Sequence, residues 1–178
     1  AKSCASLMLF LVNDILDFSK IESGKLDLNI EKYRIEDIIL QIKELINYQA
    51  HSKNLEINYI INEDVPKYIW VDYIRLKQVL INLLTNAIKF THVGKIELTI
   101  LPLEIQKNQT LLRFSVKDTG IGIRKSNQKV IFNAFSQEDS STTKKFGGTG
   151  LGLTISNQLL GLMNSKLQIN SQYNIGST

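Results

Sequence analysis

The chain has 178 residues, enough for one domain plus an extra element. With 43% hydrophobic and 21% charged residues it has the balance of an ordinary globular protein, and its longest unbroken apolar run, residues 7–12, is too short to cross a bilayer. The net charge of +4 comes without a basic stripe interleaved with aromatics, which argues against nucleic acid as a partner, and the single cysteine, Cys4, has no internal disulfide mate, which suits a reducing compartment.

In residues 3–21, Leu7, Leu11, Ile15 and Phe18 recur at helical spacing, with Met8, Val12 and Leu16 beside them. That pattern predicts a helix with a broad apolar face, of the kind that joins a bundle. Ser23-Gly24 ends it, and a domain boundary is expected near Gly24. Residues 25–33 alternate, with Leu26, Leu28 and Ile30 on one face, and read as a strand. Ile35, Ile38, Ile39, Ile42, Leu45 and Ile46 mark a second amphipathic helix, ending near His51. A strand follows at 55–61, Pro66 breaks the chain, and a short segment spans 68–71. Asp72 is placed to cap a helix that runs to about Phe90. Residues 95–101 and 111–117 alternate cleanly and predict antiparallel strands around a loop at 106–109. A short helix is expected at 128–133, a polar aperiodic loop at 136–146, a helix at 149–163 and a last strand at 166–171. The order is one bundle-type helix, then an α+β domain with helices on one face of a mostly antiparallel sheet.

Four constellations carry chemistry. On the helix after Asp72, Leu76, Val79, Leu80, Leu83, Leu84 and Ala87 form an apolar face, while Arg75, Gln78, Asn82, Asn86 and Lys89 form a wholly polar stripe. A solvated face explains such a stripe equally in form. Asparagine, however, is a poor helix former, and here two stand mid-helix one turn apart. Two stacked amides beside a lysine suit a hydrated Mg²⁺ and phosphate oxygens. The second constellation is Asp118-Thr-Gly-Ile-Gly122. Asp118 continues the parity of Leu112, Phe114 and Val116, so the strand aims its carboxylate to the buried side. Either it accepts from an adenine amino group while the glycines let the ring approach, or the segment is a turn closing a strand. The third is Phe146-Gly-Gly-Thr-Gly-Leu-Gly152, opening a helix where N–H groups and the helix dipole favour phosphate. It is neither a P-loop nor a dinucleotide fingerprint. The fourth is Ile131-Phe-Asn-Ala-Phe-Ser136, read as a hydrophobic anchor for the polar loop, which then becomes a hinged lid carrying Lys144 and Lys145.

Together and in this order these segments resemble the histidine-kinase branch of the Bergerat-fold ATPases. The segment from Asn82 to Thr91 is similar to the N box, Asp118 to Gly122 to the G1 box, Ile131 to Phe135 to the F box, and Gly147 to Leu153 to the G2 box. Residues 12–25 are similar to the second dimerisation helix and linker of hybrid kinases. The resemblance implies an α/β sandwich holding ATP between helices and a lid. It divides the chain into residues 1–24, the end of a dimerisation and phosphoacceptor domain, and 25–178, a catalytic ATP-binding domain cut short of its closing strand, with a sheet edge left unpaired. It implies that Asn86 binds Mg²⁺, that Asn82 and Lys89 lie near metal and phosphates, and that Asp118 reads adenine with Gly120, Gly122 and Ile123 beside it. Phe135, Lys144, Lys145, Gly148, Thr149, Gly150, Leu151 and Gly152 fall on the lid and its closing turn. Asn82, Lys89 and Lys144 are the catalytic candidates, for transfer of the γ-phosphoryl group to a histidine outside this chain. The implied partners are ATP, a phosphoacceptor dimerisation helix within a homodimeric parent and a response-regulator receiver domain, with the domain itself cytoplasmic.

Departures from the pattern are visible. Gln78 stands where an acid is common, Asn133-Ala134 where Glu-Pro is usual, Lys144 where arginine is common, and Asn164-Ser165 where a glycine pair is frequent. Neither His51 nor His92 sits in a phosphoacceptor pattern. Two other readings stay open: a non-catalytic scaffold descended from a kinase, and an ATP-driven clamp of the gyrase, mismatch-repair or chaperone kind. The linker helix argues against the clamp, and intact Asn86, Asp118 and glycines argue against the scaffold.

Overall fold

The computed structural model describes residues 15–107, 109–134 and 150–178. They fall into two compact units, Asn29–Lys125 with Ile169–Thr178, and Ala1–Leu28 with Ser126–Gln168.

The first of these units is a helix-covered sheet. Strand β1 (Glu31–Arg34) leads into α2 (Ile35–His51), followed by β2 (Glu56–Ile61), β3 (Tyr68–Val71), α3 (Tyr73–Phe90), β4 (Lys95–Ile105), β5 (Thr110–Asp118), β6 (Ser171–Gln172) and β7 (Gly176–Ser177). The main sheet has strand order β2-β4-β5-β7-β6, with β2 parallel to β4 and the remaining pairs antiparallel. This is the mixed, mostly antiparallel α+β architecture expected from the sequence. Ile96, Leu98 and Ile100 of β4 share one parity and are buried, as are Ile35, Ile38, Ile39, Ile42 and Ile46 of α2 and Leu76, Val79, Leu80, Leu84, Ala87 and Ile88 of α3. The two periods, two residues in the strand and about 3.6 in the helices, thus converge on one apolar layer. Leu83, assigned to the apolar face of α3, is only partly buried.

Asp72 is almost wholly buried. Its Oδ1 accepts from the Arg75 N–H at 3.0 Å and caps α3, while Oδ2 accepts from the Asn29 N–H at 3.0 Å. That second bond helps explain why the strand expected at 25–33 shortens to β1. Its partner β3 is four residues long, registered from Glu31 on Val71 to Arg34 on Tyr68. Residues 25–30 therefore find no ladder, and the Asn29 N–H goes to a side chain instead. The last strand also differs from expectation. Residues 166–170 are not a strand, and the chain forms the β6–β7 hairpin, with Ser177 paired to Asp118 of β5. The residues up to Ser177 thus already extend the sheet beyond β5.

The second unit contains a helix at 15–22 (α1), a 3₁₀ turn at Val130–Phe132 and α4 (Gly152–Leu162). The turn replaces the short helix expected at 128–133, and α4 begins three residues later than expected. Gln158 Nε2 donates to Glu22 Oε1 at 2.9 Å, joining α4 to α1, and Thr154 Oγ1 donates to the Phe132 carbonyl at 3.0 Å. Asn164, at the position where the resemblance favours glycine, has φ +53°. Its N–H reaches the Gly161 carbonyl and the Ser165 N–H reaches that of Leu160, a Schellman end that asparagine tolerates.

Candidate functional site

Asn82, Asn86, Lys89, Asp118, Gly120, Gly122 and Ile123 all belong to the helix-covered unit. Gly150, Leu151 and Gly152 belong to the other unit, where Leu151 is buried and Gly152 is the first residue of α4. Phe135, Lys144, Lys145, Gly148 and Thr149 lie outside the described residues, as do the polar loop and its lysine pair.

On α3, side chains of the polar stripe bond one another in pairs. Arg75 donates from Nη1 to Gln78 Oε1 at 2.9 Å, and Asn86 Nδ2 donates to Asn82 Oδ1 at 3.3 Å. The bond between the asparagines follows from their spacing, since residues four apart lie one above the other on a helix. It commits an N–H of Asn86 and leaves its carbonyl oxygen as the atom suited to a hard cation. One turn on, the Lys89 ammonium sits 4.8 Å from the Phe90 ring centroid, and burial holds it below the ordinary lysine value.

Asp118 ends β5, and its parity with Phe114 and Val116 leaves it partly buried, as its spacing predicts. Burial raises its carboxyl above the usual aspartate value, and the N–H groups of Gly120 and Ser177 pull it partly back. The Gly120 bond measures 2.8 Å. A carboxylate has room for about four hydrogen bonds, so acceptor capacity remains for an N–H donor from outside.

The glycines of this turn have a role that the sequence did not suggest. A Cβ on Gly120 would stand 2.4 Å from the Phe90 carbonyl oxygen. That same oxygen accepts the Ile121 N–H at 3.2 Å, which docks the turn on the end of α3. Gly122 has φ +63°, and a Cβ there would stand 2.0 Å from the Gln172 carbonyl oxygen. At both positions the close approach is made by the protein's own backbone. On the far side, Lys53 Nζ donates to the Ile88 carbonyl at 2.9 Å and to the Lys89 carbonyl at 3.4 Å, neutralising the negative end of the α3 dipole. Neither Lys53 nor the hairpin contacts carry a sequence signal, because both depend on residues distant along the chain.

Among the described residues, no group of three or more His, Cys, Asp and Glu side chains is placed to hold a metal ion. An asparagine carbonyl on its own fits Mg²⁺ only when phosphate oxygens and water complete the shell, which is the usual way that ion binds beside a nucleotide. A shallow surface groove on α2, lined by Asn47, Tyr48, His51 and Ser52, contains none of these side chains.

Residues 71–178 match the family of histidine kinase-, DNA gyrase B- and HSP90-like ATPases. The chain belongs to this family. It is 38% identical over 174 residues to the signal transduction histidine-protein kinase BarA of Escherichia coli strain K12, covering 98% of this chain and 19% of BarA. It is 40% identical over 173 residues to the sensor histidine kinase GacS of Pseudomonas protegens, covering 97% of this chain and 19% of GacS. It is 37% identical over 178 residues to hybrid signal transduction histidine kinase L of Dictyostelium discoideum, covering 99% of this chain and 10% of that protein. The chain thus spans about a fifth of the bacterial relatives it matches. The crystal structure of full-length ShkA in complex with AMPPNP is similar with a TM-score of 0.84 at 33% identity, over 98% of this chain and 35% of ShkA. A nucleotide-free catalytic domain of the histidine kinase ThkA is similar with a TM-score of 0.67 at 27% identity, over 84% of this chain and 93% of that domain. The chain is an ATPase domain of the histidine-kinase type. No helix among the described residues is long and apolar enough to cross a membrane.

Proposed function

We propose that this domain binds Mg-ATP and transfers the γ-phosphoryl group to a histidine on a dimerisation helix beyond this chain. The observation that carries the reading is Asp118, a partly buried carboxylate whose partners among the described residues are the backbone N–H groups of Gly120 and Ser177. A group so placed prefers a ligand that brings its own donor, and the exocyclic amino group of adenine is one. Guanine offers a carbonyl at that position and would meet the carboxylate with repulsion.

In this reading Asn86 and Asn82 face the metal and phosphates, and Lys89 offsets phosphate charge. Phe135, Lys144, Lys145, Gly148, Thr149, Gly150, Leu151 and Gly152 are assigned to nucleotide binding, with Lys144 as a catalytic candidate, on the motif resemblance alone. When bound, Mg²⁺ supplies charge neutralisation to the phosphate oxygens. The bond from the γ-phosphorus to the bridging oxygen breaks and one to an imidazole nitrogen forms, leaving ADP. Gln78 is given no role as a base, since a carboxamide stands there in place of an acid and does not take up a proton near neutral pH. The domain's work is then positioning and electrostatics.

Residues 1–24 are assigned to the end of the dimerisation domain and 25–178 to the catalytic domain. More than half of the surface of Ile15 and of Leu16 on α1 is exposed, which supports a second helix as their partner. A receiver domain is the proposed acceptor downstream, and the domain is assigned to the cytoplasmic side. The liganded ShkA structure and the kinase relatives support the same reading.

Titration calorimetry of Mg-ATP against the chain and its Asn86→Ala variant tests the pocket. Mg-dependent binding is expected in the first and its loss in the second, with both folded. A histidine-bearing dimerisation domain added with radiolabelled ATP tests the transfer, and the label is expected on that domain alone. No Mg-ATP binding by a folded chain, or label on this chain by itself, would defeat the proposal.

A further inference from the structure

The turn read as the base-binding element is gripped from the C-terminal hairpin. Ser171 is the hub of that grip. Its Oγ accepts from the Ile123 N–H at 2.8 Å, donates to the Gly176 carbonyl at 3.0 Å and lies 2.9 Å from Ser177 Oγ. Gly176, with φ +137°, passes so close to β5 that a Cβ on it would stand 2.1 Å from the Asp118 carbonyl oxygen. Ser177 pairs with Asp118, and its N–H reaches the Asp118 carboxylate. One hydroxyl therefore connects both ends of the segment, directly at Ile123 and through Gly176 and Ser177 at Asp118. The middle is held as well. The Asn174 N–H donates to the Ile121 carbonyl at 2.7 Å, and the Arg124 guanidinium lies 4.8 Å from the Tyr173 ring centroid.

We propose that Ser171 is a positioning residue for nucleotide selectivity: its hydroxyl fixes the aim of the Asp118 carboxylate by holding the β6–β7 hairpin against the turn. The proposal rests on the reading of Asp118 as the adenine acceptor. Its physical basis is that a hydrogen bond to a charged group depends steeply on distance and angle. A carboxylate hung on a short turn is aimed only as well as that turn is held. Ser171 touches no nucleotide in this scheme, and it acts through Asp118 and Ile123.

The test uses the chain with Ser171→Ala and Ser171→Thr, after melting curves have shown each folded. ATP and GTP affinities are measured by calorimetry, and exchange of the Ile123 and Ile121 amide protons by NMR. In Ser171→Ala, ATP affinity is expected to fall about tenfold, the size of one such bond, with GTP affinity little changed. Amide exchange at Ile123 should quicken, and Ser171→Thr should restore the ATP preference. Should the alanine variant not fold, Ser171→Cys, close in size, reads the same ratio. A purely structural serine would lower the melting temperature and weaken both nucleotides equally. That result, or an unchanged ATP to GTP ratio in a variant with quickened exchange, overturns the proposal. A wild-type chain that binds ATP and GTP alike overturns the Asp118 reading itself, and the role of Ser171 with it.

Discussion

Asn82, Asn86 and Lys89 ride on one eighteen-residue helix, whereas Asp118 sits at a place where segments far apart along the chain meet. The helix needs no outside help to align its polar stripe, since its own period stacks residues four apart and Asn86 bonds Asn82 directly. The turn after Asp118 is different. Gly120 leans on the end of α3, Gly122 on Gln172, and Ser171 and Ser177 close it from the C-terminal hairpin. A single change on α3 should therefore remove one function and spare the fold, whereas a side chain added at Gly120 or Gly122 in the turn should disturb stability and binding together.

Gly122→Ala probes the turn most severely. A Cβ 2.0 Å from a carbonyl oxygen at φ +63° cannot be relieved by rotating a side chain. We expect a loss of about 3 kcal/mol in denaturant unfolding, the upper range for a backbone clash with strain. A stability equal to that of the unsubstituted chain would show that the turn is far less tightly held. Asp118→Ala sharpens the comparison from the functional side. ATP affinity should fall roughly thirtyfold, the size of one charge-assisted bond, and the preference over GTP should vanish with little loss of fold. Equal ATP and GTP affinities before the substitution would remove the role given to Asp118.

Lys53→Met tests whether α3 is as self-sufficient as it looks. The two carbonyls at its end lose their ammonium partner, and the expected cost is about 1 kcal/mol in the denaturant midpoint, without change in nucleotide preference. The smallest effect is a pH profile. The Asp118 carboxyl titrates above the usual aspartate value because burial disfavours its charge. Protonation removes its ability to accept from adenine as a carboxylate. ATP affinity should therefore fall as pH drops through that raised value, starting at a higher pH than an ordinary aspartate would give, and Asp118→Asn should lack this step. For folding the sign is opposite. The native chain holds this proton more tightly than the unfolded one, so ionisation of Asp118 opposes stability above its native pKa and lowering the pH relieves it.

Much of the fold was legible before the structure. The isoleucines of α2 and the leucines of α3 repeat at 3.6 residues, and both helices begin and end where that period and the Asp72 cap place them. The alternation in β4 and β5 gave their pairing and the buried side of Asp118. The errors fell where no local rule decides. Leu26, Leu28 and Ile30 alternate as a strand does, but their segment has no partner strand. Residues 166–171 were read as the final strand, yet the pairing moved onto the two-residue arms of a hairpin.

The site divides along the same line. By itself the sequence determined the polar stripe of α3 and the parity of Asp118, because helix and strand periods are properties of neighbouring residues. It also supplied the order of motifs that places the chain among histidine-kinase ATPases. Tertiary structure alone decided what fills the space beside Gly120 and Gly122, which carbonyls Lys53 neutralises, and how Ser171 reaches Ile123. Those contacts join residues separated by 30 or more positions, from Gly120 on Phe90 to Gly122 on Gln172. No spacing rule spans such separations, since only the packed chain brings the two partners together.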